Sequence, residues 1–132
     1  MARVTGVGGV FLRSRDPKAL ATWYEKHLKI KLEPHGSAVM RWTDEVPVGT
    51  GTTAWATFAE DTTYFGPGKQ AFMLNYRVDD LDTLLAELTA AGVTVDPHRE
   101  AYGYGLFAWI VDCDGNRVEL WQPLPKAPAT SA

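Results

Sequence analysis

The chain states nearly the same pattern twice, sixty-four positions apart. An apolar, β-branched run from Val10 leads to Asp16-Pro17 and then to Leu20, Tyr24 and Leu28 at helical spacing. From Phe72 the order recurs: an apolar run, Asp79-Asp80, then Leu81, Leu84, Leu85 and Leu88 along one helical face. Repetition at this scale constrains the fold before any motif does. Two copies of a strand-and-helix unit build a two-fold arrangement, and a cleft can form where the copies meet.

Turn chemistry divides each copy further. The first strand is expected over Val7 to Arg13 and stops at Asp16, a good N-cap, with Pro17 where a missing N–H costs nothing. The helix should end near Lys29, where Lys26, His27 and Lys29 complement the negative end of its dipole. Three strands should follow, over Ile30–Glu33, Ala38–Thr43 and Thr52–Phe58, separated by Pro34 with Gly36 and by Pro47 with Gly49 and Gly51. In the second copy a strand over Phe72–Val78 precedes a helix over Leu81–Ala91, capped by Asp80 and closed by Gly92. Strands near Val93–Val95, Leu106–Val111 and Arg117–Gln122 complete it, the last two joined by the hairpin signal Asp114-Gly115. The chain thus reads as one α+β domain of two tandem βαβββ modules, with eight strands in a curved, half-barrel sheet around a cleft. Module one covers about residues 6–60, a linker about 59–70, module two about 71–122, and a loose tail 123–132.

Composition excludes several classes of partner. With 16 acidic against 13 basic residues and a net charge of -3, the chain has no basic footprint for nucleic acid. No apolar run approaches the ~20 residues that span a bilayer, so no membrane role is expected. The N-terminus lacks the apolar segment of a signal peptide, and the single Cys113 cannot form an intrachain disulfide, which together point to the cytoplasm.

The order of elements, with Arg13-Ser14-Arg15-Asp16-Pro17, Trp23-Tyr24, Val78-Asp79-Asp80-Leu81 and the ending Asp112-Cys113-Asp114-Gly115-Asn116-Arg117-Val118-Glu119-Leu120-Trp121, resembles the vicinal oxygen chelate superfamily. That superfamily includes glyoxalase I, fosfomycin and bleomycin resistance proteins and extradiol dioxygenases. The ending looks like the family's Asp-Pro-Asp-Gly-Asn-x-Ile-Glu-Leu, with Cys113 in place of Pro, and the likeness runs from about residue 6 to 122. The resemblance implies metal ligands at Gly9, Trp55, Met73 and Glu119. Only Glu119 can bind a hard divalent cation, which needs several N, O or S donors. No metal and no other cofactor is therefore expected. The resemblance also implies a homodimer.

Glu119, between Val118 and Leu120, is the first site candidate. A carboxylate facing an apolar cleft would have a raised pKa and could act as a general acid or base. A structural reading has it held by Arg41, Arg77 or Asn75. Aromatic side chains are the second signal: Trp42, Trp55 and Tyr76, with Met73, are candidates to line a ligand pocket, while most of the other rings are read as core. The polar, glycine-rich run His98–Gly105 reads as a loop at the cleft mouth, with Glu100 and the hydroxyls of Tyr102 and Tyr104 as polar contacts. His98 is the histidine kept as a site candidate. Gly103–Ala108 fits G-x-G-x-x-A but is followed by a strand, so it is no dinucleotide site.

Two functions fit this reading, beside a third possibility of a partner-binding module whose cleft is filled by its own aromatic side chains. One is metal-independent binding of a small, partly aromatic organic molecule, as in bleomycin-resistance-type sequestration, with the acidic balance suiting a cationic ligand. The other is a glyoxalase-like lyase or isomerase in which Glu119 shuttles a proton, assisted by Tyr102 or Tyr104. That enzyme would have to stabilise an enolate by hydrogen bonds alone.

Overall fold

The computed structural model of the chain describes residues 7, 9–44, 49 and 51–124. The chain divides into two compact units, Met1–Thr62 and Thr63–Ala132.

In the first unit the longest element is α1, Pro17–Leu28. It begins where its cap chemistry dictates: the Asp16 carboxylate accepts the Ala19 N–H at 3.0 Å and Pro17 takes the first position. It ends at Lys29, whose left-handed backbone (φ 61°) returns its N–H to the Tyr24 carbonyl. Leu20 and Tyr24 are its buried residues. Desolvation, then Lys26 and Lys29, hold the His27 imidazole below its ordinary range. A 3₁₀ turn, Trp42–Asp44, is closed by the Arg41 N–H donating to the Asp44 carboxylate at 3.1 Å.

None of the strands expected at Val7–Arg13, Ile30–Glu33, Ala38–Thr43 or Thr52–Phe58 forms a ladder among the described residues. Val10, Phe11, Val39, Met40 and Trp55 are exposed there. β propensity measures fit to a pleated, half-buried surface, and among the described residues these segments have no hydrogen-bonded neighbouring strand to supply one. The turn expected at Pro47 and the tail beyond residue 124 lie outside the described residues.

The second unit holds all four strands found among the described residues: β1 (Leu74–Arg77), β2 (Thr94–Tyr102), β3 (Gly105–Val111) and β4 (Arg117–Pro123), with α2 (Leu81–Ala90) between β1 and β2. The sheet order is β1-β4-β3-β2, with β1 parallel to β4 and the other pairs antiparallel. Asp80 caps α2 by accepting the Thr83 N–H at 3.1 Å, and Gly92 takes φ +81° just beyond its end.

Side-chain alternation gives this sheet two faces. Ala108, Ile110, Val118 and Leu120 share one face and are almost fully buried. α2 covers that face with Leu81, Leu85 and Leu88, and its first N–H, from Leu81, donates to the Gln122 side chain at 2.8 Å. The opposite face carries Asn75, Phe107, Trp109, Arg117, Glu119 and Trp121.

One sequence expectation changes here. The His98–Tyr102 stretch belongs to β2, with only Gly103-Tyr104 left as a turn, so it is not the loop expected at the cleft mouth. β2 is an edge strand, which tolerates Pro97, and the register slips around that proline. Between the pairs Val95–Ile110 and Arg99–Ala108, three β2 residues oppose the single Trp109.

The β3–β4 turn is closed by one carboxylate. Asp112, 5% exposed, accepts the N–H of Asp114 and of Asn116, both at 2.9 Å, and the Asn116 side-chain amide at 2.8 Å. Gly115 supplies the left-handed residue (φ +86°). Asp112→Ala removes all three acceptor contacts. It should lower unfolding stability by about 1–3 kcal/mol in chemical denaturation, more than Asp114→Ala does.

Candidate functional site

The hairpin register places Trp109 directly opposite Glu119, and the parallel β1–β4 pairing places Asn75 on the other side of Glu119. Asn75, Glu119 and Trp109 therefore form a row across three strands. One step along the sheet, Arg77, Trp121, Phe107 and Glu100 form a second row. Side chains from outside the sheet and from its edge complete the arrangement.

Glu119 is 7% exposed, and both of its oxygens accept hydrogen bonds. The Tyr64 hydroxyl donates to Oε1, and the Asn75 amide donates to Oε2 at 2.6 Å. Of the three holders weighed from sequence, Asn75 is the one that bonds Glu119; Tyr64, in the stretch read as a linker, is a partner that sequence reasoning missed. Burial and then the bond to Glu119 push the Tyr64 phenol well above the ordinary tyrosine range, so it stays a donor.

Trp109 is 1% exposed. Tyr64 meets it edge-on at 5.8 Å between centroids, His98 stacks on it at 5.6 Å, and the Arg117 guanidinium lies 5.4 Å from its centroid. Arg117 is paired with Asp96 at 3.0 Å. The His98 N–H and then Arg117 hold the Asp96 carboxyl below its usual range. Gly66, at φ +84°, lets the covering segment approach: a Cβ there would sit 2.7 Å from Arg117 Cδ.

The second row opens onto a run of rings. Tyr104 and Tyr102 stack at 5.4 Å, each meets Phe107 edge-on at about 6 Å, and Phe107 stacks on Trp121 at 6.0 Å with planes 5° apart. Gly105 lies beneath the Trp121 ring, which a Cβ at that position would strike. Glu100 accepts the Tyr102 hydroxyl at 2.6 Å and lies 2.9 Å from His98 Nε2. The tyrosine hydroxyl first, and His98 second, hold the Glu100 carboxyl below its usual range.

The residues named from sequence divide into four groups. Glu119, Glu100, Tyr102, Tyr104 and His98 come together on the second unit's polar, aromatic face. Tyr76 pairs with Leu120 and therefore lies on the α2 side, because register and not ring chemistry sets the direction of a strand side chain. Met73 stands just ahead of β1, half-buried. Trp42 and Trp55, 83% and 80% exposed, belong to the first unit. Phe107, Trp109 and Trp121, read from sequence as core, and Arg117, which sequence reasoning missed, share the face with Glu119. The signal was available: the Asp112–Asn116 turn fixes which residues of the two strands face one another.

The donor set does not fit the divalent metal found in metal-dependent relatives. Glu119 is surrounded by a phenol, an amide and an indole, and both carboxylate oxygens already accept hydrogen bonds. Among the described residues, no three His, Cys, Asp or Glu side chains gather to hold an ion. No helix among them is long and apolar enough to cross a membrane.

Residues 9–121 match the model of the glyoxalase-like domain family. The chain belongs to that family, within the vicinal oxygen chelate superfamily. No curated protein matches it. Among solved structures, it is similar to TnmS3, an antibiotic binding protein from Streptomyces sp. CB03234, at 22% identity and a TM-score of 0.58, over 94% of this chain and 100% of that one. It is also similar to a glyoxylase/bleomycin resistance protein/dioxygenase domain from Frankia sp. EAN1pec, at 21% identity and a TM-score of 0.57, over 95% of this chain and 96% of that one. At these identities the likeness is one of fold.

Glu100 provides a pH test. Its folded pKa lies below the ordinary 4.5, so its contribution to stability is present above pH 4.5 and is lost as pH falls through the lowered value. Tyr102→Phe should move its titration back toward 4.5, read by carbon NMR of the side-chain carboxyl. An unchanged titration would show that the hydroxyl does not set it.

Proposed function

We propose that the chain is a metal-independent member of its family that binds a small, partly aromatic organic molecule on the polar, aromatic face of module two. The observation that carries this reading is the run of rings Tyr104, Tyr102, Phe107 and Trp121 on the same face as Glu100 and Glu119. Tyr102 and Tyr104, 46% and 60% exposed, leave ring surface open to a stacking ligand. The similarity in fold to an antibiotic binding protein supports the same reading.

The full arrangement we propose is the eight-stranded one, with module one completing a second βαβββ unit, and a homodimer of such chains. The likeness to solved structures over more than nine-tenths of the chain supports the first of these. Trp42, Trp55 and Met73 remain proposed ligand contacts on that basis.

A lyase or isomerase reading requires Glu119 to receive a proton from substrate. With Tyr64 and Asn75 donating to its two oxygens, it is held in place as an acceptor, which favours binding over turnover.

Tryptophan fluorescence titration against planar organic compounds tests the site. Phe107→Ala should weaken binding about two- to tenfold, the worth of one aromatic pair. Glu119→Gln should weaken it modestly with no product formed by either protein, whereas turnover abolished by Glu119→Gln would establish the enzyme. Elemental analysis of the purified protein should find no stoichiometric metal, and added Ni²⁺, Zn²⁺, Mn²⁺ or Fe²⁺ should leave the tryptophan signal unchanged. A bound stoichiometric ion would overturn the metal-independent reading.

A further inference from the structure

Tyr64 stands between solvent and two groups of the polar, aromatic face. It is half-buried, whereas Glu119 and Trp109 beneath it are nearly fully buried. Its hydroxyl donates to Glu119 Oε1, and its ring meets Trp109 edge-on. It belongs to the 63–70 segment, which lies outside the sheet and leads into β1. That segment is shaped partly from within: the Gly66 N–H donates to the Thr63 carbonyl at 3.0 Å, and the Gln70 amide donates to the Phe65 carbonyl at 2.7 Å. Neither bond involves the sheet, so both persist when the segment lifts. Asn75, on β1, stays on Glu119 Oε2. The seat that Tyr64 fills therefore takes one aromatic ring and one neutral hydroxyl donor.

We propose that Tyr64 holds the ligand's place: an aromatic molecule bearing a hydroxyl group displaces it, donates to Glu119 Oε1 and meets Trp109, while the 63–70 segment lifts to admit it. The inference rests on the binding function proposed above and names its ligand class, a phenol-type aromatic alcohol. The free protein is blocked by its own side chain. The space the ligand's ring enters is the space the Tyr64 ring vacates. Glu119 keeps a donor on each oxygen in both states, so its burial stays satisfied through the exchange. Burial and the bond to Glu119 keep the Tyr64 phenol protonated, and the same surroundings keep a bound phenol neutral and donating. Trp121 and Phe107, the next facing pair along the hairpin on this side, receive the rest of a larger molecule.

Three small probes test the exchange: p-cresol, which is the tyrosine side chain without its backbone, 4-methylanisole, which has the same ring but cannot donate, and 4-methylbenzylammonium. Each is titrated into ¹⁵N-labelled full-length wild type, Tyr64→Phe and Tyr64→Ala, following the backbone amides and the indole N–H signals. In wild type, p-cresol should shift the Thr63, Tyr64, Gly66 and Gly68 amides together with the Trp109 indole, and bind about tenfold more tightly than 4-methylanisole. Tyr64→Ala should bind p-cresol about tenfold more tightly than wild type, and Tyr64→Phe about threefold, since each removes part of the competitor. Tyr64→Phe carries the comparison where Tyr64→Ala fails to fold. Wild-type shifts confined to Tyr102 and Tyr104, with the 63–70 amides unmoved, would overturn the displacement while leaving aromatic binding on this face intact. Binding of p-cresol by Tyr64→Ala but not by wild type would mark an engineered hole and overturn it as well. Preference for the anisole or the ammonium compound would overturn the hydroxyl class. No shift with any probe in any of the three proteins would overturn both readings.

Discussion

The side chains of the second unit face one another because the register of β3 on β4 is fixed at one turn. Between Val111 and Arg117 the Asp112 carboxylate gathers two backbone N–H groups and one side-chain amide, and Gly115 supplies the left-handed backbone the turn requires. A slip of one residue would exchange the faces, sending Glu119 toward α2 and Leu120 into the polar cluster. Asp112 is nearly buried, so its hydrogen bonds form away from competing water, where an unmade bond is most costly. The motif Asp-Cys-Asp-Gly-Asn is therefore a structural device, and it acts on the site through register.

Once that register is set, the burial of Glu119 follows, and so does the need to satisfy it. An isolated buried carboxylate is expensive, and no cation is paired with this one among the contacts described. A phenol and an amide meet the demand instead. In metal-dependent relatives the corresponding position serves an ion. Here a phenol and an amide donate to the carboxylate, and the bond from Tyr64 fastens the 63–70 segment over the sheet, with Gly66 lying against Arg117. Gly66 and Gly105 matter for what they lack: each lets a large side chain, Arg117 or Trp121, lie flat where a Cβ would stand.

The aromatic face is consistent with a family in which one scaffold serves many chemistries, because its function depends on which side chains the sheet presents. Rings supply surface for a flat molecule, and polar groups at their border set its orientation. The charge of the whole chain is a poor guide to such a ligand. Its excess of acidic residues says nothing about which carboxylates are already hydrogen-bonded, as Glu119 and Glu100 are on this face.

Local chemistry was legible in the sequence wherever it is written in adjacent residues. Asp16-Pro17 and Asp80 start the two helices, Lys29 and Gly92 end them, and Asp114-Gly115 marks the hairpin, each by an interaction spanning a few positions. The resemblance carried by the final motif gave the family. Glu119 as the central carboxylate was legible from the same motif, and Asn75 only as one of three residues that could hold it, beside Arg41 and Arg77. What tertiary structure alone decided is which residues share a face. Tyr76 went to the helix side and Trp109 to the site, although both are rings on strands, because pairing register is a non-local property. Tyr64 joined Glu119 across fifty-five residues, from a stretch whose Gly and Pro content reads only as a connection. Strand propensity in the first unit was equally legible, yet a strand exists only where a neighbour completes its hydrogen bonds, and sequence alone does not supply that neighbour.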